Sequence, residues 1–129
     1  MAGSPAAQKP KVLLVDDRQE NLVALEAVLG DLPLNLVQAH SGAEALKRLL
    51  EEDFAVILLD VQMPEMDGFE TTRAIRADPR FKTLPIIALT AKAMKGDRER
   101  CIAAGASDYI TKPVDTEQLL SLMRVWLYQ

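Results

Sequence analysis

Cysteine, histidine and net positive charge are all scarce in this chain of 129 residues, and each shortage removes a class of function. The single Cys101 excludes an internal disulfide and a cysteine-rich zinc site. With His40 as the one histidine, a transition-metal centre would lack ligands, so any bound metal should be a hard ion held by oxygen. Lys and Arg number 15 against 19 Asp and Glu, a formal charge of −4. That balance lacks the basic stripe from which nucleic-acid binders draw most of their affinity, so no nucleic-acid partner is expected. Hydrophobic residues make up 49% of the chain, enough for a core. No apolar run approaches the roughly 18 to 20 residues needed to cross a bilayer, so no membrane contact is expected of this domain. Met1 to Pro10 has neither the basic nor the apolar region of a secretory signal and reads as a disordered leader or cloning remnant. The length then suits one domain over residues 11–129.

From Lys11 onward, short β-branched or leucine-rich runs alternate with longer stretches of helical period, the pattern of parallel strands joined by helical crossovers. The runs are Val12–Val15, Leu34–Ala39, Ala55–Leu59, Pro85–Leu89 and Ser107–Ile110. Residues 16–33 are enough for a crossover helix, with Leu22, Leu25, Val28 and Leu29 as its apolar stripe. Ser41 followed by Glu44 matches a capping box and starts a second helix over Gly42–Leu50. Further helices are expected over Asp67–Ala77, over Met94–Ala104 with Gly105 as its stop, and over about Asp115–Leu127. The first and third runs are apolar throughout and should be central, covered on both faces; Leu34–Ala39 mixes polar with apolar residues and should be an edge. Together these describe a three-layer α/β domain.

The acids fall at the carboxyl ends of the central strands. Asp16 and Asp17 directly follow Val12–Val15, and Asp60 directly follows Ala55–Leu59. That is the edge where open α/β sheets bind ligands. If the two strands are neighbours, the carboxylates converge, and at about 5 Å and an effective dielectric of about 20 each ionised pair repels by roughly 3 kcal/mol. A divalent cation would offset that, and Mg²⁺ suits one or two carboxylates, a backbone carbonyl and a substrate phosphate. Solvated loop acids or a helix cap at Asp17 would be the plainer explanation. Thr90, after Pro85–Leu89, and Lys112, after Ser107–Ile110, fall on the same rim. A carboxylate nucleophile, cation-binding acids, a hydroxyl and an ammonium group together provide what phosphoryl transfer needs, which is chiefly alignment and charge neutralisation.

Four segments in this order resemble the receiver domain of two-component response regulators over Lys11 to Leu127: Val15-Asp16-Asp17, Leu59-Asp60-Val61-Gln62-Met63-Pro64-Glu65-Met66-Asp67-Gly68, Ala88-Leu89-Thr90-Ala91, and Gly105 through Pro113. The resemblance implies a (βα)5 flavodoxin-like fold, a parallel sheet of order 2-1-3-4-5 that sets the first and third strands side by side. It implies that Asp60 accepts a phosphoryl group from a phosphohistidine. Asp17, Asp60 and the backbone carbonyl of Gln62 would hold Mg²⁺ (or Mn²⁺), with Asp16 acting through water. Lys112 and Thr90 would each contact a phosphoryl oxygen. It also implies a cis peptide at Lys112–Pro113, and a switch in which Thr90 moves toward phosphate while Tyr109 rotates, altering the surface of the fourth helix, fifth strand and fifth helix. Gln62, Ala91 and Lys92 occupy positions expected to tune phosphate lifetime, and Gly68 would relax the turn after Pro64.

The implied partner is a histidine kinase or histidine phosphotransfer domain, docking on the first helix near Arg18, Gln19 and Leu22. The last helix carries more apolar residues than one core-facing stripe needs, Trp126 among them, which points to a homodimer or output partner through helices 4 and 5, or to a neighbouring region. The sequence is most similar to receivers fused to hybrid sensor histidine kinases, and a cytoplasmic setting follows. As an isolated domain the chain would promote only its own phosphorylation and dephosphorylation. Two alternatives stand beside this reading. One is an aspartate-nucleophile phosphatase of haloacid dehalogenase type, opposed by Gln62 where such enzymes carry a second acid. The other is a receiver that binds proteins without being phosphorylated, opposed by the presence of every acid, Thr90 and Lys112. A nucleotide-binding module would need a Gly-x-Gly-x-x-Gly turn that the first strand lacks.

Overall fold

The computed structural model describes residues 9–90 and 97–128. Strands and helices alternate: β1 (Lys11–Val15), α1 (Gln19–Leu29), β2 (Asn35–Ala39), α2 (Gly42–Glu51), β3 (Val56–Asp60), α3 (Gly68–Ala77), β4 (Ile86–Thr90), α4 (Asp97–Ala104), β5 (Asp108–Thr111) and α5 (Thr116–Leu127), with a 3-10 turn at Pro79–Phe81 before β4. The strands form one five-stranded sheet of order β2-β1-β3-β4-β5, and every pairing is parallel. The expected order and the edge position of β2 are both present.

Alternation along the strands divides the core between the two faces of the sheet. Val12, Leu14, Val56 and Leu58 pack with Leu22, Leu25 and Leu29 of α1 and Leu119 and Met123 of α5. Leu13, Val15, Ile57 and Leu59 pack with Ala45 and Leu49 of α2 and Ile75 of α3. Each fully buried aliphatic side chain contributes roughly 1.5–3 kcal/mol, so the central strands anchor both layers. A smaller cluster of Val61, Phe69, Ala88, Cys101, Ala104 and Ala106 lies under α4, with Tyr109 against it. Cys101 is 1% exposed, a packing residue as its place on α4 suggests.

Local signals decide where helices begin and end. Ser41 Oγ accepts the Glu44 N–H at 3.0 Å, but Glu44 Oε1 takes the N–H of His40 at 2.7 Å. The expected capping box is therefore half formed, its returning arm reaching one residue further out. The complete box is on α3, where Asp67 accepts the Glu70 N–H and Glu70 accepts that of Asp67. Gly105 ends α4 at φ 112°, a left-handed conformation suited to glycine.

Two expectations about helix faces need correction. Leu22 is 0% exposed and belongs to the core, so it cannot meet a partner. The apolar surplus of α5 is also mostly spent inward: Leu120, Leu122, Trp126 and Leu127 pack against the core cluster. Trp126 is half-buried, its indole N–H pointing to Asp108 Oδ2 at 3.5 Å, and the large apolar residues left exposed here are Val125 on α5 and Tyr128 just past its end. Among the described residues, no helix is long and apolar enough to cross a membrane.

Candidate functional site

The register of β1 beside β3 pairs Val15 with Leu59. The residues that follow, Asp16 and Asp60, therefore leave the sheet together. Carboxylate oxygens of Asp16, Asp17 and Asp60 lie within 4.8 Å of one another. Asp16 and Asp60 are 0% and 3% exposed, while Asp17 is exposed at the cleft mouth. The cleft, about 380 Å³, is lined by Asp17, Arg18, Asn21, Asp60, Gln62 and Lys112. An all-oxygen set of hard donors fits a divalent cation of the Mg²⁺ class better than a soft metal.

Each acid is held by specific donors. Asp16 Oδ1 accepts the Arg18 N–H at 2.9 Å, and its Oδ2 accepts Asn21 Nδ2 at 3.1 Å. Asp60 Oδ1 accepts the Gln62 N–H at 3.3 Å and the Lys112 ammonium at 3.0 Å. Lys112 Nζ also stands 3.5 Å from Asp16 Oδ2, so one cation serves two buried acids. Burial pushes the Asp60 carboxyl above the ordinary carboxylate range, and the Lys112 hydrogen bond and charge only partly pull it back.

The backbone brings Lys112 here. Its N–H donates to the Thr90 carbonyl at 2.6 Å, extending the β4–β5 pairing in which Thr90 faces Thr111. The Lys112–Pro113 bond is cis, as the resemblance implies. Thr90 ends β4, buried, one residue beyond the Leu89 that pairs with Asp60. Gly68 is fixed by proximity rather than turn geometry. A Cβ there would stand 2.4 Å from Val61 Cα and 2.5 Å from Asp60 O, so α3 can start against the end of β3 only with glycine. Tyr109 is half-buried at the α4 cluster, with the Arg98 guanidinium 5.9 Å from its ring centroid.

Arg18 and Gln19 are exposed at the start of α1, and Gln19 Oε1 meets His40 Nε2 at 2.6 Å. His40 thus belongs to a surface network with Gln19 and Glu44. Ala91 and Lys92 lie outside the described residues. The site residue that sequence reasoning missed is Asn21, which lines the cleft and bonds Asp16; its place in the first turn of α1 after the acid pair was the available signal.

Comparison with known proteins agrees with this geometry. The family model of the response regulator receiver domain matches residues 12–124. The sensor protein GacS of Pseudomonas syringae pv. syringae is 38% identical over 128 residues, covering 96% of this chain and 14% of GacS, so the chain spans about a seventh of that relative. The receiver domain of the sensor histidine kinase PA1611 from Pseudomonas aeruginosa PAO1, solved with a magnesium ion in its active-site cleft, superposes with a TM-score of 0.86. The two are 35% identical, with 95% of this chain and 100% of that one covered. The receiver domain of Saccharomyces cerevisiae Ssk1, co-crystallised with the phosphotransfer protein Ypd1, gives a TM-score of 0.85 at 28% identity, covering 92% and 88% of the two chains. On the family match, the shared fold and the converging acids at the end of β1 and β3, the chain belongs to the response regulator receiver domains of two-component systems.

Proposed function

We propose that Asp60 is the phosphoacceptor of a phosphorelay and that the acidic cleft holds Mg²⁺, or Mn²⁺, while the transfer takes place. The observation that carries this reading is the meeting of Asp16, Asp17 and Asp60 oxygens within 4.8 Å beside the Lys112 ammonium. Asp17, Asp60 and the Gln62 carbonyl would bind the ion directly and Asp16 through water; when bound, it supplies positive charge that neutralises the transferred group's oxygens. An Asp60 carboxylate oxygen attacks phosphorus, forming the P–O bond as the P–N bond to the partner's imidazole breaks and its electron pair returns to nitrogen. Lys112, already 3.0 Å from Asp60, binds a phosphoryl oxygen of the product. The Thr90 hydroxyl donates to another, and its movement lets Tyr109 shift at the α4–β5–α5 surface, a change of population that needs no large motion.

The phosphodonor is a histidine kinase or phosphotransfer protein, consistent with the co-crystallised Ssk1 receiver. The parent is a cytoplasmic-facing hybrid histidine kinase, as the GacS likeness supports. Output, or pairing of two copies, runs through α4 and α5. Acetyl phosphate with Mg²⁺ should add one acid-stable, base-labile phosphate, read as an intact-mass increase that a chelator prevents. Asp60→Asn should abolish it, and undiminished labelling of that variant, or labelling of His40, would overturn the assignment.

A further inference from the structure

We infer that Asn21 is a positioning residue for the cation site, setting the orientation of Asp16 and thereby the division of Lys112 between the two buried acids. The inference rests on the phosphoacceptor reading above. Asp16 is 0% exposed, so its charge must be met by protein donors. The Arg18 N–H takes Oδ1 at 2.9 Å, and on Oδ2 the close donor is Asn21 Nδ2 at 3.1 Å, with Lys112 Nζ further away at 3.5 Å. The two oxygens are thus held separately, and the plane of the carboxylate is fixed.

The placement of Asn21 follows from the helix. It lies in the first turn of α1, where Cα–Cβ bonds tilt back toward the amino end, and its backbone N–H is held by the Arg18 carbonyl at 3.1 Å. Its amide is a neutral donor, so it stabilises ionised Asp16 without adding a positive charge that would compete with a cation. Removing that donor leaves Lys112 as the side-chain donor to Oδ2 and draws the ammonium from its 3.0 Å contact with Asp60. Asn21 also lines, with Ala24, Val28 and Pro113, the neighbouring apolar cleft of about 260 Å³ between α1 and the segment Lys112–Val114, so part of its surface borders open space rather than packed protein. A change there removes a hydrogen bond without emptying a core.

Groups that orient metal-binding side chains typically alter metal affinity by about 10- to 100-fold when removed. Asn21→Leu keeps the branched four-atom side chain, somewhat bulkier, and removes the donor; Asn21→Ser is too short to reach Asp16 and avoids overpacking if the leucine variant does not fold. Calorimetric titration with MgCl2 alone should give a Kd about 10-fold or more weaker for either variant, with melting in chelator within a few degrees of wild type. The half-saturating Mg²⁺ for acetyl phosphate uptake should rise in step, and the rate at saturating Mg²⁺ should recover to within about threefold. Unchanged Mg²⁺ affinity in a folded variant, with Asp16→Asn losing affinity in the same assay, would overturn the role of Asn21. Failure of wild type to bind Mg²⁺ or to label at Asp60 would instead overturn the reading on which it rests.

Discussion

Asp60 is 3% exposed and stands beside an equally buried Asp16, yet within the described residues its one side-chain cation is shared with that neighbour. Its carboxyl is accordingly raised, chiefly by burial, above the value it has in the unfolded chain. The folded state then binds the Asp60 proton more tightly than the unfolded state does. Asp60 therefore favours the metal-free fold at pH below the usual carboxylate range, and that advantage is lost as pH rises through the raised value. At neutral pH the cost of keeping it ionised is chiefly desolvation, to which the charge of Asp16 adds and which the Lys112 hydrogen bond and charge offset only in part. Asp60→Asn should therefore raise the melting temperature in chelator by about 3 to 5 °C at pH 7. The gap between variants should narrow toward pH 4, where Asp60 regains its proton. Saturating Mg²⁺, which binds the folded wild type, should shrink or reverse the difference. A variant that melts below wild type in chelator at pH 7 would show that Lys112 outweighs burial.

At the scale of elements, the end of β3 and the start of α3 are packed backbone to backbone. The Gly68 N–H donates to the Val61 carbonyl at 3.1 Å, and an added Cβ would meet atoms of Val61 and Asp60 that have no rotamer to change. Gly68→Ala should cost about 3 kcal/mol in urea unfolding, the upper part of the usual range for overpacking. It should also weaken Mg²⁺ binding, because the added Cβ presses on the backbone of Asp60 and Val61 beside the cation site; a loss of stability with Mg²⁺ affinity intact would place the adjustment in α3 instead. The sequence marks a glycine here but not its reason. The positive φ that a turn reading assigns to glycine falls on Glu65, at 65°. The caps show the same divide. Ser41 and Asp67 are visible as helix starts, but whether Glu44 and Glu70 close the box depends on the chain approaching from outside. At α2 that chain brings the His40 N–H first.

Across the whole molecule, the apolar runs of β1 and β3 announced a buried parallel centre, and the polar residues of β2 announced an edge; both follow from how many faces a strand must cover. The convergence of Asp16, Asp17 and Asp60 depended on strand order, which periodicity does not contain and the family resemblance supplied. Helix faces were less legible. On α1 and α5 the inward positions share one apolar cluster, so Leu22 reads as a surface anchor only while the neighbouring helix is missing from view. The residue that takes its place beside the acids is Ala24, exposed one turn past Asn21 and lining the cleft with Pro113. A phosphotransfer partner must bring a histidine to Asp60 over this rim, whereas acetyl phosphate reaches the acids without covering α1. Ala24→Glu costs little as a helix substitution but sets a charge that a docked apolar face would have to desolvate. Transfer from a cognate phosphohistidine protein should slow by about tenfold or more, the equivalent of 1.4 kcal/mol or more in the encounter. Labelling by acetyl phosphate should stay within about twofold. Equal slowing of both donors would mean that the substitution disturbs Asp16 and Asn21 directly, and transfer at the wild-type rate from the protein donor would move the docking face away from this side of α1.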